Sequence, residues 1–143
     1  MNKKHILIRT IMIIFHWNTY LYYNLFLICK KEEWDAKWTA KIFAAIALGF
    51  GLSSIITILV NLFAPSLVTF FSNPWTGSVL GLLCLVFVNW YYYGRMEEIM
   101  KPIGQRFHSM DKKKQITIGI FHVFLNIMVF VLCFLITQFF KHY

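Results

Sequence analysis

The sequence lacks charge over long stretches. No Asp, Glu, Lys or Arg occurs in the 53 residues from Ile42 to Gly94, and two further charge-free runs, Thr10–Cys29 and Gln115–Phe140, flank it. The 14 Lys and Arg and the 6 Asp and Glu all lie between these runs or at the chain ends. A water-soluble domain needs a polar face on each helix or strand. This distribution therefore excludes a water-soluble domain and predicts helices that span a bilayer.

Long polar segments and catalytic motifs are also missing. The longest polar pieces are Lys30–Lys41 and Arg95–Lys114, shorter than the roughly 40 residues that an independent soluble domain needs. The three cysteines form no C-x-x-C pair, and neither H-x-x-H nor E-x-x-H occurs, so no thiol redox centre or metal site is predicted. No carboxylate lies inside an apolar run, which disfavours proton-coupled transport. We therefore expect no enzymatic activity and no cofactor.

Basic residues are in excess, with a formal net charge of +8. They flank the apolar runs, as the positive-inside bias of membrane proteins predicts, and nothing in the sequence resembles a nucleic-acid-binding motif. Membrane lipids are thus expected as partners and nucleic acid is not. Four cations of the second polar segment are predicted to contact lipid headgroups or, alternatively, an acidic partner: Arg106, Lys112, Lys113 and Lys114.

The order of apolar and polar segments predicts an all-α integral membrane helical bundle that forms one membrane domain over residues 1–143. Three transmembrane helices are predicted, with the basic segments in the cytoplasm and the hairpin between the first two spans outside. The second span is expected to continue as a helix beyond the membrane until Pro102 ends it. The segments are an N-terminal helix in 1–38, a span at 39–64, an outer hairpin loop at 65–76, a span with its cytoplasmic extension at 77–101, a basic loop at 102–114 and a span at 115–140.

The N-terminal run permits two topologies. A polar stripe, which contains His16, Tyr20 and Tyr23, lies opposite an apolar one that contains Leu7 and Ile11, which is the pattern of an amphipathic helix. Such a helix can lie in the interface, or it can be a fourth transmembrane helix with its polar face turned inward. The interfacial arrangement puts 13 of the 14 Lys and Arg inside, against 10 for four spans. The positive-inside rule therefore favours three spans and an interfacial helix.

Small residues recur at helical spacing in the first two predicted spans. Ala45, Gly49 and Ser53 follow one another at intervals of four, and Gly77 and Gly81 form a G-x-x-x-G motif. Small residues at this spacing allow the backbones of two helices to approach closely in lipid. We interpret them as helix-packing residues within one subunit, or alternatively as a seam between subunits.

A polar pair lies deep in the last predicted span. His122 and Asn126 are one helical turn apart, and polar groups at this depth need partners. The candidates on neighbouring spans are Asn61, Asn89 and Thr57. The cluster is either a set of interhelical hydrogen bonds or the lining of a hydrated pathway or ligand pocket.

Three motifs give the chain its overall layout: Trp17-Asn18 near the start, an aromatic-to-basic exit at Asn89–Arg95, and Lys112–Lys114 before the last span. This layout resembles small uncharacterised multi-helix bacterial membrane proteins. The resemblance implies a multi-pass protein of the bacterial inner membrane and carries no function. The residues favour an accessory or scaffold subunit that packs within a membrane complex. The alternative is a self-associating effector or a pore-forming protein controlled by a partner, so that either a homo-oligomer or other membrane subunits are expected.

Overall fold

A computed structural model describes residues 3–29, 32–71 and 73–141 of the chain, and all regular structure in these residues is helical. Three of the helices are long and apolar enough to cross a membrane, namely α2, α4 and α6. The sequence prediction of an all-α chain with three helices long and apolar enough to span a membrane is confirmed. In chain order the elements are α1 (Lys3–Ile28), α2 (Glu33–Phe63), a 3-10 turn (Pro65–Leu67), α3 (Val68–Phe71), α4 (Pro74–Tyr92), α5 (Met96–His108) and α6 (Lys112–Lys141).

Local sequence explains where the helices begin. Glu33 and Asp35 lie in the first turn of α2, where carboxylates interact favourably with the helix dipole, so α2 starts well before the apolar run. Pro74 occupies the first turn of α4, and the Asn73 side chain accepts a hydrogen bond from the Trp75 amide (3.1 Å). Both are preferred N-terminal residues of helices. The predicted loop at 65–76 therefore contains a 3-10 turn, the short α3 and the start of α4.

The second span does not continue as predicted. Tyr93 has φ −60° and ψ 120°, Gly94 has φ 66°, and the Arg95 amide donates to the Tyr92 carbonyl (3.1 Å). These are the features of a type II turn, which needs a glycine at its third residue. Helix α4 thus ends at Tyr92, and the predicted continuous helix over 77–101 is wrong. Helix α5 then runs through Pro102 to His108 and occupies part of the predicted loop at 102–114.

Helix α2 lies at the centre of the bundle, in contact with α1, α4 and α6. Its buried residues are Ala36, Ala40, Ala44, Ala45 and Ser54, and those of α4 are Cys84, Val88 and Tyr92. All of these residues except Ser54 lie in the half of their helix that is nearer the end of the bundle with Lys37, Lys41, Arg106 and Lys112. We call this the basic end, and the opposite end, around Phe63 and Pro74, the far end. The close packing is therefore concentrated at the basic end.

Helix α1 crosses the basic end. Phe15 packs against Tyr91 and Tyr92 of α4, while Tyr22, two turns later, packs against Phe43 of α2 and His122 of α6. Phe26, one turn further on, contacts the same Phe43. Helix α1 therefore contacts α2, α4 and α6 along about 16 Å of its length.

Candidate functional site

A three-residue hydrogen-bond cluster joins α1 to α6 at the basic end. The side-chain Oδ1 of Asn18 accepts hydrogen bonds from His122 Nε2 (2.8 Å) and from Asn126 Nδ2 (3.1 Å). Asn126 Nδ2 also donates to the backbone carbonyl of His122 (2.8 Å). The Tyr22 ring packs against the imidazole with 4.6 Å between centroids, and His122 is buried. Acceptance by Asn18 fixes the imidazole as the Nε2–H form.

The predicted pair His122 and Asn126 therefore forms one cluster, but its partner differs from the prediction. Asn89 accepts a hydrogen bond from Lys41 Nζ (3.2 Å), and Asn61 donates to the Thr57 carbonyl (2.8 Å) one turn earlier in its own helix. Neither contacts the pair. The reason is topological: α1 crosses between α2 and α6 at the level of His122, so an α1 side chain reaches the imidazole first.

A second polar contact joins α1 to the end of α4. The buried Tyr92 hydroxyl donates to Thr19 Oγ1 (3.1 Å), and Thr19 donates onward to the Phe15 carbonyl (3.0 Å). Next to it, His16 Nε2 and the Tyr91 hydroxyl share a hydrogen bond of 2.8 Å. Burial lowers the pKa of His16 from its ordinary value of 6.5, because desolvation disfavours the imidazolium. A neutral His16 is therefore part of this contact.

Polar contacts also hold α5 at the basic end. The Tyr20 hydroxyl and His108 Nε2 are 3.2 Å apart, and the Tyr20 ring packs on Phe107. Lys37 of α2 pairs with Glu33 and with Glu97 of α5, each at 2.8 Å. The hydrogen bond from Lys37 lowers the pKa of Glu97, since it stabilises the carboxylate. Helix α5 is thus tied both to α1 and to α2.

The predicted helix-packing residues come together in one groove between α2 and α4. This small-residue groove has a volume of about 450 Å³ and is lined by all five predicted residues, Ala45, Gly49, Ser53, Gly77 and Gly81. A Cβ built on Gly49 would lie 3.8 Å from the Gly81 Cα, an ordinary contact. A Cβ on Gly77 or Gly81 would meet nothing within 4 Å. The two helices approach closely at Gly49, while the α4 side of the groove is left open.

The four predicted headgroup-binding cations are solvent-exposed at the basic end. Arg106 lies on the outer face of α5, and Lys112, Lys113 and Lys114 form the first turn of α6. Asp111 is the single carboxylate among residues 106–114. The four cations and one carboxylate leave a local charge of +3, which suits an anionic surface.

Two of the polar layers among the described residues are separated along the bundle by an aromatic pair. The first is the Asn18 cluster; the second lies at the far end, where Thr57, Asn61 and Gln138 line a cavity of about 240 Å³. Between them Phe50 of α2 and Phe130 of α6 pack edge to face with 5.1 Å between centroids. Among the described residues every buried side-chain nitrogen or oxygen has a hydrogen-bond partner, and no three His, Cys, Asp or Glu side chains converge as metal ligands. The arrangement can fix helices relative to one another.

Sequence reasoning missed the α1 side of the site. The stripe predicted for α1 contains His16, Tyr20 and Tyr23, and two of these residues do contact α4 and α5. The buried contacts to α2, α4 and α6 come from a neighbouring face. Its signal is present in the sequence as a row at helical spacing: Phe15, Asn18, Thr19, Tyr22 and Phe26.

Neither a family model nor a curated protein nor a solved structure matches the chain. The functional interpretation therefore depends on the residues and contacts described above.

Proposed function

We propose that the chain is a multi-pass protein of a bacterial inner membrane, with α2, α4 and α6 spanning it and the basic end in the cytoplasm. Its cations then lie at the cytoplasmic leaflet, as the positive-inside rule requires. Helix α1 lies along the cytoplasmic interface in this arrangement. One observation supports that placement: Leu7, Ile11 and Ile14 are exposed, available to acyl chains.

Within that membrane we propose that the chain is a non-enzymatic accessory or scaffold subunit of a larger complex. The small-residue groove is the observation that carries this function. It is open along its α4 side, where Gly77 and Gly81 present backbone rather than side chain. A helix packs closely in lipid when small residues let its backbone approach, so the groove is a suitable seat for a transmembrane helix of a partner subunit.

The polar residues support the same function. His122 and Asn126 both hydrogen-bond to Asn18 of the same chain. They therefore do not need an ion or a ligand as a hydrogen-bond partner. Along the bundle, the Phe50–Phe130 pair lies between this layer and the polar far end. The alternative is a self-associating effector or pore, which would use the same groove as the seam between chains.

Filling the groove tests the proposed function. Gly81→Leu should preserve folding, because a Cβ there meets nothing, and should remove the partner's seat. Gly51→Leu is the matched control: it lies on α2, its Cβ also meets nothing within 4 Å, and it does not line the groove. The full chain would be purified in mild detergent from its native host, with the mass of the intact assembly measured.

The accessory function predicts that wild type and Gly51→Leu co-purify with other subunits in a fixed ratio and that Gly81→Leu does not. A closed homo-oligomer disrupted by Gly81→Leu would instead establish the self-associating alternative. A monomer in all three preparations, or an assembly indifferent to Gly81→Leu, would contradict any function for the groove.

A further inference from the structure

A second and larger groove lies between α1 and α6 at the basic end. Its volume is about 610 Å³, within the range of small-molecule binding sites. We call it the α1–α6 groove. Leu21 and Leu25 of α1 form one wall, and Ile116, Ile120 and Ile127 of α6 form the other. Gly119 lies between these walls, and a Cβ built on it would meet nothing within 4 Å.

Polarity in the α1–α6 groove changes with depth. Lys112 and Gln115 line it at the start of α6, and the other lining residues are apolar except Asn24 of α1 and His122, which is held by Asn18. From Lys112 to Ile127 the groove follows 15 residue steps of α6, about 22 Å. That exceeds half of a hydrocarbon core of ~30 Å. The groove therefore matches a long molecule with an anionic head and an apolar tail.

We propose that the α1–α6 groove binds one anionic phospholipid, with its phosphate at Lys112 and one acyl chain along Gly119. Charge complementarity selects the head, because Lys112 lines the groove and Lys113 and Lys114 follow it in the first turn of α6. The open strip at Gly119 accommodates the chain. This site rests on the membrane placement proposed above, and it is independent of the small-residue groove.

The test is native mass spectrometry of the delipidated full chain in detergent, titrated with phosphatidylglycerol or with phosphatidylcholine. Wild type should retain one phosphatidylglycerol in preference to phosphatidylcholine. Lys112→Gln should lower that preference about fivefold, the effect of one lysine near an anionic surface. Lys4→Gln removes an equal charge from the N-terminal turn of α1, away from the groove, and should leave the preference unchanged.

Filling the groove with a larger side chain should weaken the retention of both lipids. Gly119→Leu should reduce phosphatidylglycerol retention at least fivefold, while Gly51→Leu should retain it like wild type. Val123→Trp, also on the groove wall, provides a second filling variant if Gly119→Leu unfolds. Circular dichroism checks the fold of each.

Three outcomes would overturn the proposal. They are equal retention of the two lipids by wild type, wild-type retention by both folded filling variants, and displacement of phosphatidylglycerol by millimolar inorganic phosphate, which would reveal an anion site without an acyl chain. Because the readout is bound lipid and not co-purified subunits, its failure is distinguishable from failure of the accessory function.

Discussion

The basic end and the far end of the bundle are built differently. At the basic end aromatic rings pack between helices and polar side chains pair across them. At the far end Phe63 and Trp75 are 80% and 78% exposed, and the polar side chains of Thr57 and Asn61 bond within their own helix. The basic end is completed by the chain itself. The far end and the small-residue groove leave surface for lipid or for another subunit.

The two ends should differ most in how much stability is lost when an aromatic side chain is truncated. Phe107 is 3% exposed in the contact of α1 with α5, whereas Phe63 is 80% exposed. Phe107→Ala should lower the free energy of unfolding by about 3–5 kcal/mol, the usual cost of removing a buried ring. Phe63→Ala should cost less than about 1 kcal/mol. Denaturant titration in detergent measures both, and equal costs would contradict the contrast between the ends.

A smaller loss of stability is expected when a single hydroxyl is removed. Tyr92 is 1% exposed and donates to Thr19, while its neighbour Tyr93 is 79% exposed. Tyr92→Phe should cost about 1 kcal/mol, because it deletes one hydrogen bond and leaves the ring in place. Tyr93→Phe should change nothing measurable in the same titration. If Tyr92→Phe is also neutral, the Tyr92–Thr19 bond does not stabilise the crossing of α1.

The smallest expected effect is a pH dependence of the basic end. Burial depresses the pKa of His16 below 6.5, so its contribution to stability is complete above about pH 6.5 and is lost as the pH falls towards the depressed value. The unfolding temperature should be lower at pH 5.5 than at pH 7.5. His16→Gln keeps a hydrogen-bonding group beside Tyr91 and should reduce this difference. An undiminished difference in the variant would assign the pH dependence to other groups.

The sequence predicts the spanning helices well because their signal is long and local. The apolar runs Ile42–Phe63 and Gln115–Phe140 lie inside α2 and α6, and hydropathy over some twenty residues suffices to find them. The break at Gly94 escaped prediction because Pro102 is the stronger apparent helix terminator. In the structure the type II turn ends α4 first, and Pro102 is accommodated within α5.

The residues of the candidate site can be predicted from the sequence, but their partners cannot. His122 and Asn126 are recognisable as polar residues in an apolar run, and the small residues that line one groove are recognisable by their spacing. Their partners depend on how helices cross, which no local pattern encodes. Asn18 was overlooked because the stripe through His16 and Tyr20 is the more polar face of α1, while Asn18 lies among the aromatic residues of the next face.

The most direct test of the account is a pair of double-mutant cycles on His122. His122 holds α1 on α6 through Asn18, whereas Asn89 bonds to Lys41 instead. The cycle of Asn18→Ala with His122→Ala should give a coupling energy of about 0.5–1.5 kcal/mol in the free energy of unfolding. The cycle of Asn89→Ala with His122→Ala should be additive within about 0.3–0.5 kcal/mol. Additivity in the first cycle, or coupling in the second, would contradict the account.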